Sequence, residues 1–263
     1  MGLYFVMDEK TFRKTLSDLP LGGVRYFART GSSNDVALAW ASEGAPDLSL
    51  VYADEQTMGR GRMGRRWFTP PGSALAFSLI LRPKGREHEN IGLFSGLGAL
   101  ALVGALKKRG VTAQIKWPND VLIKRRKTAG ILVETVWMGA EADRIVLGMG
   151  VNVYPESVPL PEELNFAATC VQSEAPAPVE RFDLLHDLLV ELLAWRPKLA
   201  SDGFLRAWEE SLAFRGENVR VVLGAEEIIG QVAGLETDGR LRLGLAEGEI
   251  REVGFGEVHL RPL

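Results

Sequence analysis

The stretch AQIKWPNDVLIKRRKTAGILVETVWMGAEADRIVLGMGVNV, residues 113–153, decides the fold. Within it the runs Gln114-Ile115-Lys116, Val121-Leu122-Ile123, Gly130 to Val136 and Ile145 to Val153 are separated by polar or glycine-bearing turns. Apolar runs of this length between turn residues read as successive strands. Upstream, Leu48 to Ala53 and Ser73 to Leu81 have the same texture, and Ile91 to Lys108 has helical spacing. Ser32-Ser33-Asn34-Asp35 suits the N-cap of a helix carrying Val36, Ala37 and Trp40. Downstream, residues 154–179 are proline-rich and irregular, and Arg181 to Trp195 then sets Leu184, Leu185, Leu188, Leu189 and Leu192 on one helical face. The pattern predicts an α+β domain, a mixed sheet with helices packed on it.

After Phe214-Arg215-Gly216 the texture changes to short alternating strands: Asn218 to Leu223, Ile228 to Leu235 and Arg240 to Leu245, with Asp238-Gly239 as a hairpin turn. This predicts a second, small β-barrel, so the expected division is 1–214 for the larger domain and 215–263 for the barrel.

Composition bounds the function. A chain of 263 residues, 46% hydrophobic, buries a full core, and a net charge of -3 provides no global field for nucleic acid or an anionic membrane. Any anion site must be local. The single cysteine, Cys170, excludes an intrachain disulfide framework and a thiolate zinc cluster. Met1 to Met7 is too short an apolar run for a signal peptide, and no later stretch is long and apolar enough for a membrane span. The expectation is a reduced, cytoplasmic protein.

Gly59-Arg60-Gly61-Arg62-Met63-Gly64-Arg65-Arg66 is the local concentration of positive charge. It has the glycine spacing of a P-loop, but Arg65-Arg66 stands where that motif needs Lys followed by Ser or Thr. Guanidinium groups on a glycine-rich backbone still make a clamp for phosphate or carboxylate. A solvated surface loop fits this motif equally well. Gly96-Leu-Gly98-Ala-Leu-Ala101 resembles a dinucleotide fingerprint yet lies inside a helical run, where small residues ease packing. Gly148-Met149-Gly150 follows a strand and lets a ligand lie close to the backbone. Lys116-Trp117-Pro118-Asn119-Asp120 puts a cation and a carboxylate at a turn between strands, and Lys127 opens the next one. Read singly, that turn is an ordinary β-turn. Together these segments offer cations, one carboxylate and no nucleophile, which suits nucleotidyl transfer or acyl activation.

Gln56 to Trp67, Lys116 to Asp120, Lys127-Thr128-Ala129-Gly130-Ile131-Leu132-Val133-Glu134 and Gly148 to Asn152 resemble, in order, the signatures of biotin protein ligases. The resemblance runs from about Ser32 to Leu263 and is weak over residues 154–178. It implies a class II synthetase-like catalytic domain followed by an SH3-like barrel, and it supplies the substrates biotin and ATP, with magnesium.

By that resemblance Ser32, Ser33 and Gln56 lie at the biotin ring, and Ser33 stands where threonine is more usual. Gly59, Gly130, Leu132, Gly148 and Val151 line the rest of the biotin site, with Leu132, Gly148 and Val151 as its apolar wall. Arg60 and Arg62 close over carboxylate and phosphates, Lys127 reaches the carboxylate or α-phosphate, and Trp67 lies near adenine. Lys116, Asn119, Asn152 and Arg261 complete the nucleotide contacts. Arg62, Lys127 and Asp120 carry the chemistry, with Asp120 assisting deprotonation of the acceptor lysine. No metal ligands are assigned.

The implied partner is the biotin carboxyl carrier domain of a carboxylase, and a homodimer is compatible with the sheet. Some family members carry a winged helix-turn-helix that represses transcription. Only about thirty residues precede Ser32, too few for that module, so DNA binding is not expected. A lipoate or octanoate ligase is the nearest alternative, and an inactive biotin-binding or nucleic-acid-binding module is the alternative from another class. The arginine-glycine loop with the Lys116 to Asp120 turn favours biotin.

Overall fold

The computed structural model describes residues 8–139, 141–164, 166–255 and 258–262, so the opening run Met1 to Met7 lies outside the described residues. The main sheet has seven strands: β1 (Gly23–Phe27), β2 (Ser49–Ala53), β3 (Ala74–Leu81), β4 (Ala113–Lys116), β5 (Asp120–Ile123), β6 (Arg126–Met138) and β7 (Glu141–Asn152). Their order is β1-β2-β3-β7-β6-β5-β4, parallel between β1 and β2 and antiparallel elsewhere. The mixed sheet expected from the sequence is therefore present.

Helices cover both faces, which is why the central strands read as continuous apolar runs. On one face α2 (Ser33–Ser42) sets Ala37 and Ala41 against Val51, Ile80 and Val146. On the other, α1 (Glu9–Thr15), α3 (Leu93–Lys107), α4 (Arg181–Trp195) and α5 (Asp202–Glu210) enclose a core that includes Leu50, Leu79, Leu147 and Val151. α3 is apolar nearly all round because α4, α5 and the sheet surround it. Its glycines serve packing: a Cβ on Gly96 would lie 2.4 Å from the Trp208 ring, so the dinucleotide fingerprint is rejected by geometry as well as context.

The C-terminal strands β8 (Asn218–Leu223), β9 (Glu226–Leu235), β10 (Leu241–Gly244), β11 (Ile250–Val253) and β12 (Val258–Pro262) form an antiparallel sheet in the order β11-β10-β9-β8-β12. Gly239, with φ +83°, makes the expected hairpin turn between β9 and β10. That turn also fastens the barrel to the main sheet. The Gly239 carbonyl accepts a hydrogen bond from Trp117 Nε1 at 3.0 Å, and Phe255 packs between Trp117 and Trp208.

Candidate active site

A cavity of about 690 Å³ opens on the α2 face of the sheet. Its floor follows from strand alternation. Side chains two apart on a strand share a face, so Gly148, Gly150 and Asn152 look into the cavity while Leu147, Met149 and Val151 point their side chains into the core. Across the ladder Gly130 pairs with Gly150 and Leu132 with Gly148, so three glycines leave bare backbone there. Trp67 fills part of that space. A Cβ on Gly150 would lie 2.2 Å from the indole, and one on Gly130 would lie 3.2 Å from it. The indole Nε1 is buried without a hydrogen-bond partner, a donor left for an acceptor in the cavity.

One end of the cavity is polar and neutral. Ser32, Ser33 and Asn34 enter it from the N-terminus of α2, and the Ser32 side chain makes no capping bond to that helix. The Ser33 backbone N–H donates to Gln56 Oε1 at 2.7 Å, and Gln56 Nε2 donates to Thr69 Oγ1 at 3.1 Å. Ser78 Oγ lies 2.8 Å from Ser33 Oγ and 2.5 Å from Asn34 Oδ1. A Cβ on Gly148 would sit 2.0 Å from that same Asn34 oxygen, so glycine here makes room for Asn34 as well as for a ligand.

The other end is cationic. Asp120, at the start of β5, lies between two ammonium groups: Lys127 Nζ at 2.6 Å from Oδ1 and Lys116 Nζ at 3.0 Å from Oδ2. Burial by itself raises a carboxyl pKa, but the two lysines outweigh it and hold Asp120 at about 2. Burial likewise lowers Lys116, against the pull of Asp120. Arg62 Nη1 donates to Asn119 Oδ1 at 3.0 Å, and Asn119 Nδ2 donates to the Ile131 carbonyl. The Lys116 ammonium and the Arg261 guanidinium both approach the Phe166 ring, at 5.0 and 5.5 Å from its centre. Asn152 Nδ2 donates to the Thr169 carbonyl, fixing the irregular segment beside the cations. Arg62, Arg65, Arg66, Lys116, Lys127 and Arg261 all line the cavity, and Asp120 is the only carboxylate lining it among the described residues. Such crowding of like charge raises the local concentration of anions.

The basic loop folds back as a short hairpin. Trp67 N–H donates to the Gly59 carbonyl, and Gly61 N–H to Arg65. Arg60 and Arg66 pair across it, and Arg62 sits at its turn, where Met63 and Gly64 adopt positive φ.

Two family models match parts of the chain: the biotin/lipoate A/B protein ligase family over residues 26–152, and the biotin protein ligase C terminal domain over residues 214–261. A biotin–[acetyl-CoA-carboxylase] ligase of Paracoccus denitrificans is 36% identical over 225 residues, covering 82% of this chain and 92% of that protein. The chain belongs to the biotin protein ligase family. A bifunctional ligase/repressor of Bacillus subtilis is 33% identical, covering 87% of this chain and 71% of that protein. The biotin protein ligase from Aquifex aeolicus, solved in complex with biotin and ATP, superposes with a TM-score of 0.77 at 28% identity, covering 92% of this chain and 99% of that one. The family's fold, a mixed sheet with helices followed by an SH3-like barrel, is the fold described above.

Most residues that the family signatures single out meet in the cavity: Ser32, Ser33, Gln56, Arg60, Arg62, Trp67, Lys116, Asn119, Asp120, Lys127, Gly130, Leu132, Gly148, Asn152 and Arg261. Two expectations need correction. Val151 is a core residue, fully buried on the opposite face of β7, and Gly150 takes the place on the wall expected for it. Gly59 does not line the cavity; it is glycine because a Cβ there would lie 2.4 Å from the Trp67 carbonyl. Trp67 lies over the glycine floor, against Gly150 and Gly130. Asn34 and Phe166 were not foreseen as site residues, whereas Gly150 was read with Gly148 as backbone that a ligand approaches closely. Asn34 carried a signal, since it adjoins Ser33 at a helix start. Phe166 lies in an irregular segment with no pattern to mark it.

Proposed function

We propose that this chain activates biotin with ATP to form biotinyl-5'-adenylate and transfers the biotinyl group to a lysine of a biotin carboxyl carrier domain. The observation that carries this reading is the division of one cavity into a neutral hydrogen-bonding end and a cationic end, joined by a glycine floor under an indole. That shape accepts an uncharged polar ring at one end, an apolar chain across the floor and a carboxylate next to phosphates at the other.

The biotin carboxylate attacks the α-phosphorus, the bond to pyrophosphate breaks, and Lys127, Lys116 and Arg62 hold the charge that develops there. The acceptor amine then attacks the mixed anhydride carbonyl, loses its proton and expels AMP. A carboxylate as acidic as Asp120 is a weak base while both lysines hold it. It orients those lysines first, and gains basicity only as phosphate draws their charge away. Arg261 brings the barrel to the nucleotide, and Arg65 adds to the same field. Both Asp120 oxygens are taken by lysines, and among the described residues no group of three or more His, Cys, Asp or Glu is placed to hold a metal ion. The residues present do not fit a protein-held magnesium, and no step here runs through one.

Among the described residues no helix is long and apolar enough to cross a membrane, and the lone Cys170 is buried and unpaired. With a net charge of -3 and cations gathered in one cavity, we assign no role on operator DNA and place the reaction in the cytoplasm.

Biotin is expected to raise the melting temperature, and biotin with ATP to raise it further, because a ligand at 100 times its Kd stabilises the native state by about 2.7 kcal/mol. Lipoate should leave it unchanged: its dithiolane has no ureido group to satisfy the donors and acceptors around Ser33, Asn34 and Gln56. A thermal melt with each acid checks this. Equal shifts for both acids would remove the substrate assignment.

A further inference from the structure

Glu134 ends the glycine-bearing signature on β6 and takes no part in the steps above. Its carboxylate is a junction. Arg60 Nη1 donates to Oε1 at 3.0 Å and Nη2 to Oε2 at 2.8 Å, the paired geometry that orients a guanidinium best. The same Arg60 Nη2 lies 2.6 Å from Asp35 Oδ1. Asn34 Nδ2 donates to that same Glu134 Oε2 at 2.7 Å. Because a carboxylate only accepts, it turns the Asn34 amide so that Oδ1 faces Ser78 and, through it, Ser33. A continuous polar chain thus runs Ser33–Ser78–Asn34–Glu134–Arg60, from the neutral end of the cavity to the base of the arginine hairpin.

This arrangement separates two arginines that the sequence treats alike. Arg62 donates to Asn119 beside the lysines. Arg60 has both terminal nitrogens on carboxylates, so its charge is already matched, and its position fixes the hairpin that pairs residue 60 with residue 66. We propose that Glu134 is a positioning residue: by gripping both Arg60 and Asn34, it sets the arginine hairpin over the cavity in register with the neutral end. Arg60 is then the anchor of the hairpin rather than a phosphate ligand. The identity of what fills the cavity rests on the biotin and ATP reading; the grip on the hairpin does not.

The test is a double-mutant cycle of Glu134→Gln and Arg60→Gln, with two readouts. The first is trypsin cleavage after Arg62, Arg65 and Arg66 in the substrate-free protein. The second is steady-state pyrophosphate release with biotin and ATP. Each single variant is expected to speed cleavage of the hairpin several-fold and to raise KM for biotin about tenfold while kcat changes about threefold or less, the pattern of lost binding geometry rather than lost chemistry. The double variant should fall well short of the product of the two single effects, since both remove the Arg60–Glu134 contact. Glu134→Asp, which keeps the charge, should recover part of the loss. Effects that multiply in the double variant, or hairpin cleavage at the wild-type rate in Glu134→Gln, overturn the proposal. Wild-type protein that releases no pyrophosphate in response to biotin would instead remove the functional reading, and the cleavage arm would still decide the role of Glu134.

Discussion

Arg62→Gly is expected to release biotinyl-adenylate far faster than it slows the making of it. Arg62 sits at the turn of the arginine hairpin, half-buried, with its guanidinium directed to Asn119 and with burial lowering its pKa against the pull of Asp120. In the proposed reaction this guanidinium is the loop's contact to the adenylate phosphate, while Lys116 and Lys127 hold their positions through Asp120. Removing one charge-assisted hydrogen bond removes about 1.5–3 kcal/mol, or roughly 10–100-fold in residence time. Glycine at this turn also frees the backbone. Synthesis persists because the lysines remain, and the escaping mixed anhydride acylates exposed amines at large. Biotin incorporated into a bystander protein without a carrier domain, compared at matched rates of pyrophosphate release, measures this. Bystander labelling no higher than wild type would show that Arg62 does not retain the intermediate.

Lys127→Ala is expected to have the larger effect on the chemical step. Its ammonium is 2.6 Å from Asp120 and 5.5 Å from the centre of the Trp67 ring, so it stands between the glycine floor and the cationic end, where carboxylate and α-phosphate must meet. Loss of one preorganised group at developing negative charge lowers kcat by about 10²–10³-fold. The same change should make the fold sensitive to acid. In the wild type Asp120 titrates near 2, below the roughly 3.9 of an unfolded chain, so its ionisation stabilises the native state fully above about pH 4. That contribution is lost progressively as pH falls from about 4 through 2. Without Lys127, burial has one fewer opponent, the folded pKa rises, and the variant loses stability at a higher pH than wild type. Single-turnover adenylation, and chemical denaturation from about pH 3 to about pH 7 across the unfolded carboxylate range, check the two effects in both proteins. A variant that keeps its rate and its acid stability would place the critical cation elsewhere.

Much of this was legible before the structure. The helix at Arg181–Trp195 appeared with its bounds as expected, because its leucines fall on one face and the preceding prolines mark its start. The long runs that became β3 and β7 were equally plain, since two covered faces demand unbroken apolar sequence, whereas β6 is partly exposed and extends four residues before the expected start at Gly130. The elements not foreseen lack such demands. β1 is half-buried along its whole length and shows no alternation, and α5 buries only Phe204 and Trp208. β11 and β12 are short strands of the barrel, set by pairing with β10 and β8 rather than by their own pattern. Within the site, signatures located the residues but not their directions. Period two along β7 already forbade Val151 and Gly148 from sharing a face, and that rule was available from the sequence. The pairing of Arg60 with Glu134 was not, because residues 74 positions apart meet only when the loop folds onto β6.

The central claim is that one cavity joins biotin to AMP and then delivers it to a single lysine. Purified protein incubated with ATP, magnesium and a biotin carboxyl carrier domain, with biotin, lipoate or octanoate as the acid, tests it directly by mass spectrometry of the carrier and by pyrophosphate release. The account predicts pyrophosphate release only with biotin, and one biotinyl adduct, on the acceptor lysine. Carrier modified by lipoate or octanoate but not by biotin, or pyrophosphate released without regard to the acid, would contradict it.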